Sequence, residues 1–231
     1  ILSRMHPTFL GVFLREYWYW LNSPFIRLFL AIKITPNMIT IISLALGFVC
    51  AYFYYVGSFA LAGWLLIISA TLDILDGQLA RLTGKVSKEG AFLDSCADRY
   101  SEGAIFFALS MYFASRQDIV VFGDRTNLIF AAVTMLALIG SQLVSYTRAR
   151  GEAVGITTKA GIMQRAERVF LLAVISVVHP FIKLFMNSFG VDEHYPFMTV
   201  IAAMAALSLY SSVVRTVVIF LDIRKSSGSN G

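Results

Sequence analysis

Two stretches decide the fold of this chain: Asp73-Ile-Leu-Asp76-Gly77-Gln-Leu-Ala80-Arg81 and, after eight residues, Gly90-Ala-Phe-Leu-Asp94-Ser-Cys-Ala-Asp98. Positions three or four apart share one face of a helix, so each stretch places two carboxylates together. If the turn between them folds the two helices antiparallel, the four carboxylates converge. Four anions in a medium of low dielectric need a cation to hold them. Oxygen ligands suit Mg²⁺, Mn²⁺ or Ca²⁺ rather than zinc, so the spacing predicts a divalent-metal site.

The composition indicates a membrane protein. Hydrophobic residues make up 58% of the 231 residues and charged residues only 14%, with a mean hydropathy of +0.72. A soluble domain is about half apolar and a quarter charged. The net charge of +5 falls in loops, which points to membrane orientation and anionic lipid rather than to nucleic acid.

The hydrophobic segments predict an all-α integral membrane protein with six transmembrane helices, preceded by an interfacial amphipathic helix. The domain boundaries are 1–34 for the N-terminal interfacial segment, 35–225 for the six-helix domain and 226–231 for a flexible tail. Each span is long enough to cross the hydrocarbon core, and together they cover roughly 37–56, 59–82, 90–114, 126–149, 166–189 and 196–222.

The loops predict the orientation. Basic residues such as Arg81, Lys85 and Lys88 concentrate on one side of the predicted spans, whereas the other side mixes Lys183 with acidic residues such as Glu193. By the positive-inside rule, both termini and the acidic site face the cytoplasm of a cell whose plasma membrane holds the protein. The site can then meet soluble nucleotides and polyols.

The two acidic stretches resemble, at every specified position, the signature of the CDP-alcohol phosphotransferase family, also called the class I CDP-alcohol phosphatidyltransferases. The resemblance extends to Thr35-Pro36-Asn37, which opens the first span as in family members. It implies an enzyme that moves a phosphoryl-alcohol group from a CDP-linked donor, such as CDP-diacylglycerol, to an acceptor hydroxyl and releases CMP. It also implies a homodimer and a cofactor of Mg²⁺ or Mn²⁺, as two ions.

The resemblance assigns roles to residues of both stretches. The implied metal ligands are Asp73, Asp76, Asp94 and Asp98, and Asp98 is also the implied catalytic base. The residues implied to bind the CDP group are Asn37, Asp73, Asp76, Gly77, Ala80, Arg81 and Gly90. Gly77 and Ala80, about one turn apart, leave room for the cytidine against the helix backbone, and Arg81 is placed to pair with the phosphates.

A second polar set lies further along the chain. Arg215 stands in an otherwise apolar segment, where a charge is costly without an anionic partner. Together with Arg148, Arg165 and Arg168, it could enclose a phosphate group. The pattern is similar to the phosphatidylinositol-phosphate synthase branch of the family, in which the matching positions, here with Ser145, hold inositol phosphate. Arg148 stands where the mycobacterial-type enzymes carry lysine.

This second resemblance implies a phosphorylated polyol, inositol 1-phosphate, as the acceptor in phospholipid biosynthesis. Two alternatives share the chemistry: a di-myo-inositol-phosphate-phosphate synthase that uses CDP-inositol, and a phosphatidylglycerophosphate synthase. A third alternative, a cation transporter, explains the carboxylates. It does not explain Arg81, the small residues beside it or the basic set.

Overall fold

The structure is a computed structural model that describes residues 24–116, 125–158 and 160–228. Six long helices follow one another, and a short helical stretch over residues 24–31 precedes them. The long helices are α1 (Pro36–Tyr55), α2 (Phe59–Leu82), α3 (Lys88–Ser115), α4 (Thr126–Ala153), α5 (Arg165–Ser188) and α6 (His194–Gly228). The predicted all-α class is confirmed. Most of the predicted interfacial helix lies outside the described residues, and α6 extends three residues into the predicted tail.

Two capped helix starts stand next to the acidic stretches. The hydroxyl of Thr35 accepts a hydrogen bond from the backbone N–H of Met38 (3.4 Å), and the hydroxyl of Ser87 accepts one from the N–H of Gly90 (3.0 Å). Such caps satisfy N–H groups that have no partner within the helix. Gly84 has a φ of +65°, which glycine adopts at little cost. The turn over residues 83–87 therefore ends α2 and starts α3 within a short distance.

The six helices pack in a closed ring whose order differs from the order of the chain. Helix α1 packs against α2 and α3, α2 packs against α5, α5 against α6, α6 against α4, and α4 against α3. Large buried side chains such as Tyr54, Phe106 and Phe197 fill the main apolar core. A second apolar cluster packs Ile26 from the N-terminal stretch against Ile39, Leu75 and Leu79. This cluster supports α1 and α2 close to the acidic residues.

Glycines allow two of the helix pairs to approach closely. A Cβ atom at Gly63 of α2 would lie 2.8 Å from the backbone nitrogen of Val177 in α5. A Cβ atom at Gly140 of α4 would lie 3.0 Å from the side chain of Ser208 in α6. Small residues at such crossings let helix backbones pack tightly in a membrane, where dispersion rather than water exclusion holds helices together.

Five of the six long helices are long and apolar enough to cross a membrane. Helix α3 is the exception among the described helices, although its 28 residues give it sufficient length. Its first half carries Lys88, Glu89, Asp94, Asp98, Arg99 and Glu102, which lowers its hydropathy. The chain is thus a multi-pass membrane protein with five such helices among its described residues. The number of six spans stays a prediction. Its many exposed apolar side chains fit contact with lipid.

Candidate active site

Three carboxylates converge between α2 and α3. One oxygen each from Asp73, Asp76 and Asp94 lies within 4.8 Å of the other two. Asp76 is buried, and the other two are half-buried. Carboxylates at this separation repel one another unless a cation neutralises them. Their hard oxygen donors suit Mg²⁺ or Mn²⁺, so the donor set fits a divalent metal ion.

A hydroxyl group from α1 fixes the most buried of these carboxylates. Thr40 Oγ1 donates a hydrogen bond of 2.5 Å to Asp76 Oδ2, and both side chains are buried. Partners of this kind hold a carboxylate in one orientation for a metal ion. Helix α1 therefore supports the site, since it packs against both helices that carry the acidic residues.

Asp98, the fourth predicted ligand, lies beside the three converging carboxylates and is bound by an arginine. Arg165, in the first turn of α5, places Nη2 2.5 Å from Asp98 Oδ1 and Nη1 2.7 Å from Asp73 Oδ2. The Arg165 side chain is 29% exposed, so it stands at the open edge of the site. It brings one positive charge to a group of four negative ones.

A cleft opens next to the carboxylates, with a volume of about 290 Å³. Of the seven residues predicted to bind the CDP group, six line this cleft, and the seventh, Asp73, belongs to the adjoining carboxylate cluster. The six are Asn37, Asp76, Gly77, Ala80, Arg81 and Gly90. The structure thus brings the predicted set together, and its role in binding stays a prediction.

The two glycines of the cleft differ in their surroundings. A Cβ atom at Gly77 would meet only the Arg81 guanidinium, at 3.6 Å or more, so the cleft wall is open there. A Cβ atom at Gly90 would lie 3.2 Å from both Asn37 Oδ1 and Ser87 Oγ. Gly77 therefore leaves space for a ligand, whereas Gly90 allows the start of α3 to approach α1.

The five residues predicted to hold the acceptor's phosphate lie on α4, α5 and α6, and each of them binds another protein group. Arg148 is exposed and places Nε 2.9 Å from Glu152 Oε1. The buried Arg215 donates to the backbone carbonyls of Val144 (2.7 Å) and Ala160 (3.0 Å). Ser145 donates to the carbonyl of Ser141 at 3.3 Å. The partners of Arg215 are thus carbonyl dipoles, where the sequence suggested an anion.

The fourth arginine of this set, Arg168, is 1% exposed and forms an ion pair with Glu102 of α3. Its Nε lies 2.8 Å from Glu102 Oε1 and its Nη2 lies 3.3 Å from Glu102 Oε2. Arg165, by contrast, reaches the acidic cluster itself. The phosphate-binding role of the whole set stays a prediction.

Sequence reasoning missed three residues of this region. Thr40 supports Asp76, Glu102 holds Arg168, and Lys85 lines the cleft. A signal existed for Glu102, because it follows Asp98 by four residues and therefore shares its helix face. Thr40 gave no such signal, since its contact with Asp76 joins residues that are 36 positions apart.

Comparison with known proteins agrees with this geometry. The sequence profile of the CDP-alcohol phosphatidyltransferase family matches residues 33–223. An archaetidylinositol phosphate synthase from Pyrococcus horikoshii is 42% identical over 148 residues, which cover 64% of this chain and 71% of that protein. A phosphatidylinositol phosphate synthase from Corynebacterium glutamicum is 31% identical over 195 residues, which cover 84% of this chain and 81% of that protein.

Two crystal structures of the Mycobacterium tuberculosis phosphatidylinositol phosphate synthase resemble the fold at 25% identity. The one with CDP-DAG bound gives a TM-score of 0.73 and covers 86% of this chain and 93% of its own. The one in complex with manganese and citrate gives 0.72, with 86% and 88% covered. The family profile spans most of the sequence and includes all four acidic residues of the motif. The chain belongs to the CDP-alcohol phosphatidyltransferase family.

Proposed function

We propose that this enzyme transfers the phosphatidyl group of a CDP-linked lipid to a hydroxyl of inositol 1-phosphate and releases CMP. The observation that carries the proposal is the meeting of three carboxylates at the edge of a cleft lined by Gly77, Ala80 and Arg81. A diphosphate carries negative charge, and the region offers both a site for metal ions and an arginine to neutralise it.

The proposed metal ligands are Asp73, Asp76, Asp94 and Asp98, with two ions of Mg²⁺ or Mn²⁺. Bound there, the ions would neutralise the donor's diphosphate and the leaving CMP. The chain's own contribution is positional: Thr40 orients Asp76, and the open wall at Gly77 admits the nucleotide. The manganese-bound relative supports a metal of this kind.

Asp98 is the proposed general base. It stands beside the three converging carboxylates and is held by Arg165, so one of its oxygens has a fixed direction. A carboxylate so placed can take the proton of an acceptor hydroxyl within hydrogen-bond reach. The oxygen of that hydroxyl then attacks the phosphorus that carries the lipid, and the bond to CMP breaks.

The names of the relatives support inositol phosphate as the acceptor. The Pyrococcus and Corynebacterium proteins differ in the lipid part of their names and share the inositol phosphate part. The proposed acceptor-binding residues are Ser145, Arg148, Arg165, Arg168 and Arg215. The names favour this acceptor over CDP-inositol chemistry, over glycerol 3-phosphate and over cation transport.

Three further proposals come from the sequence and the family. The protein lies in the plasma membrane with both termini and the active site on the cytoplasmic side, as the loop charges indicate. It forms a homodimer. A measurement of the mass of the purified protein in detergent tests this proposal. Its core domain covers 35–225, between an interfacial segment (1–34) and a short tail (226–231).

The deciding experiment measures CMP release by the purified protein in detergent with CDP-diacylglycerol and Mg²⁺ or Mn²⁺. Inositol 1-phosphate, glycerol 3-phosphate, free inositol and serine are offered separately, and Asp94→Asn serves as the inactive control. CMP formed only with inositol 1-phosphate supports the proposal. Preference for free inositol or serine removes the phosphate-binding role, and no CMP with any acceptor calls for CDP-inositol as the donor. Failure there, with cation flux in liposomes, would establish a transporter.

A further inference from the structure

A buried ion pair joins α3 to α5 about one helical turn from Asp98 of the active site. Glu102 and Arg168 are 7% and 1% exposed, and two contacts join the carboxylate to the guanidinium. Burial of two charges is costly unless the pair is well matched in geometry. A bidentate pair of this kind holds the guanidinium in one plane.

The pair runs parallel to a second one at the site. Glu102 follows Asp98 by four residues on α3, and Arg168 follows Arg165 by three on α5, so the partners share helix faces. Arg165 binds Asp98 as Arg168 binds Glu102. Two ion pairs therefore connect α3 and α5. Of the two arginines, only Arg165 also contacts the cluster of three carboxylates, through Asp73.

The chain that leads into α5 is fixed from two sides. Arg168 Nη1 donates to the carbonyl of Met163 at 3.2 Å, and the N–H of Met163 donates to Ser211 Oγ of α6 at 3.1 Å. Arg215, also on α6, donates to the carbonyl of Ala160. The first turn of α5, which carries Arg165, is thus anchored to α3 through Glu102 and to α6 through Ser211 and Arg215.

We infer that Glu102 is a positioning residue for the acceptor's phosphate. Glu102 holds Arg168, Arg168 holds the start of α5, and the start of α5 places the guanidinium of Arg165 at the open edge of the carboxylate cluster. Arg165 is 29% exposed and Arg168 is 1% exposed, so Arg165 is the member of this pair that meets a phosphate. This inference rests on the proposed function and refines it: Arg165 contacts the acceptor's phosphate, and Arg168 contributes to binding only by positioning Arg165.

The test distinguishes a role of the Glu102–Arg168 pair in positioning Arg165 from a role in neutralising buried charge alone. The double variant Glu102→Gln with Arg168→Met removes both buried charges, so neither charge is left buried without its partner. We expect its unfolding temperature to stay near that of the wild type while the KM for inositol 1-phosphate rises about tenfold or more. The KM for the CDP-linked donor should stay within about twofold, because Glu102 does not line the donor cleft.

A matched control removes an ion pair at the other end of α5. Lys183 Nζ lies 3.0 Å from Glu193 Oε1, so Lys183→Met with Glu193→Gln should leave the acceptor KM unchanged. Two results would overturn the inference. An unchanged acceptor KM in the Glu102 and Arg168 double variant means that the pair only balances buried charge. A lower acceptor KM in Glu102→Gln alone means that Arg168, once released, binds the phosphate itself.

A titration with inorganic phosphate keeps this test independent of turnover. Phosphate should raise the unfolding temperature of the wild-type protein, and the double variant should need about tenfold more phosphate for the same rise. Equal phosphate dependence in the two proteins, or no effect on the wild type, contradicts the positioning role. Absence of CMP release in a protein that phosphate stabilises in this way contradicts the proposed reaction alone.

Discussion

Asp98 lies outside the group of three converging carboxylates and is held by Arg165, which also binds Asp73. Asn at this position keeps the size of the side chain and an oxygen for Arg165, and removes the basic group. We expect Asp98→Asn to lower kcat by about 10²- to 10⁴-fold, the usual contribution of a general base. Its unfolding temperature should stay close to that of the wild type.

The control for this variant is Asp222→Asn, which changes an exposed aspartate of α6. CMP release and thermal unfolding are measured for both. Turnover near the wild-type rate in Asp98→Asn would remove Asp98 from the role of base.

Gly77 permits a second test at a single residue. Alanine there meets no closer protein atom than the Arg81 guanidinium at 3.6 Å, and alanine favours a helix over glycine by up to about 1 kcal/mol. We expect Gly77→Ala to be at least as stable as the wild type while the KM for the CDP-linked donor rises about tenfold or more, since the methyl group fills the cleft wall.

Gly103→Ala is the matched control, because Gly103 lies inside α3 with no atom within 4 Å of the added Cβ. It should gain the same helix stability without a change in donor KM. An unchanged donor KM in Gly77→Ala would show that the nucleotide does not approach this wall.

At the residue scale, the sequence predicted what depends on local spacing. The convergence of Asp73, Asp76 and Asp94 follows from helix periodicity and one short turn. The partners of Arg168 and Arg215 depend on how helices far apart in the chain pack together, which spacing does not encode. The sequence therefore predicted one phosphate pocket for the four arginines of the second polar set. In the structure, Arg168 pairs with a buried carboxylate and Arg215 donates to two backbone carbonyls.

At the element scale, the close contact of α2 and α5 depends on Gly63. A Cβ atom there would lie 2.8 Å from the backbone nitrogen of Val177, and backbone cannot move aside as a flexible side chain can. We expect Gly63→Ala to lower the free energy of unfolding by about 1–3 kcal/mol, the usual cost of overpacking. This loss exceeds the gain in helix propensity.

Thermal unfolding in detergent, with Gly103→Ala measured alongside, tests this expectation. The two variants should move the unfolding temperature in opposite directions. An increase in both would mean that α2 and α5 can separate at no cost.

Helix α3 has the position that the sequence predicted, but it is less apolar than the other long helices. Its predicted span, roughly 90–114, lies within the observed Lys88–Ser115. Its charged residues, which form the site and the buried pair with Arg168, keep it below the hydropathy of the other five helices. The ring gives α3 two helical neighbours, α1 and α4.

At the scale of the whole molecule, the loop charges predict the orientation in the membrane. We expect a cysteine at Arg224, near the end of α6, to react with an impermeant maleimide only in inverted vesicles. A cysteine at Tyr195, at the start of α6, should react only in right-side-out vesicles. The wild-type chain is the background control, since Cys50 and Cys96 lie within α1 and α3. The reverse pattern would place the active site outside the cell.

The ring order was beyond the reach of the sequence. Amphipathic patterns and loop lengths locate helices, but α2 next to α5 and α4 next to α6 are pairings between elements distant in the chain. No residue pattern in α2 predicts that α5 is its neighbour. Only the family resemblance implied a common arrangement of the spans.

The order of the ring also determines the order in which the protein can be assembled during synthesis. The contacts of α1 with α2 and α3, and of α3 with α4, need only the first four helices, whereas the remaining contacts need α5 or α6. Chains emerge from the ribosome N-terminus first. The acidic residues of α2 and α3 are therefore made before Arg165. Until α5 follows, the positive charge that Arg165 brings to Asp73 and Asp98 is absent from the chain.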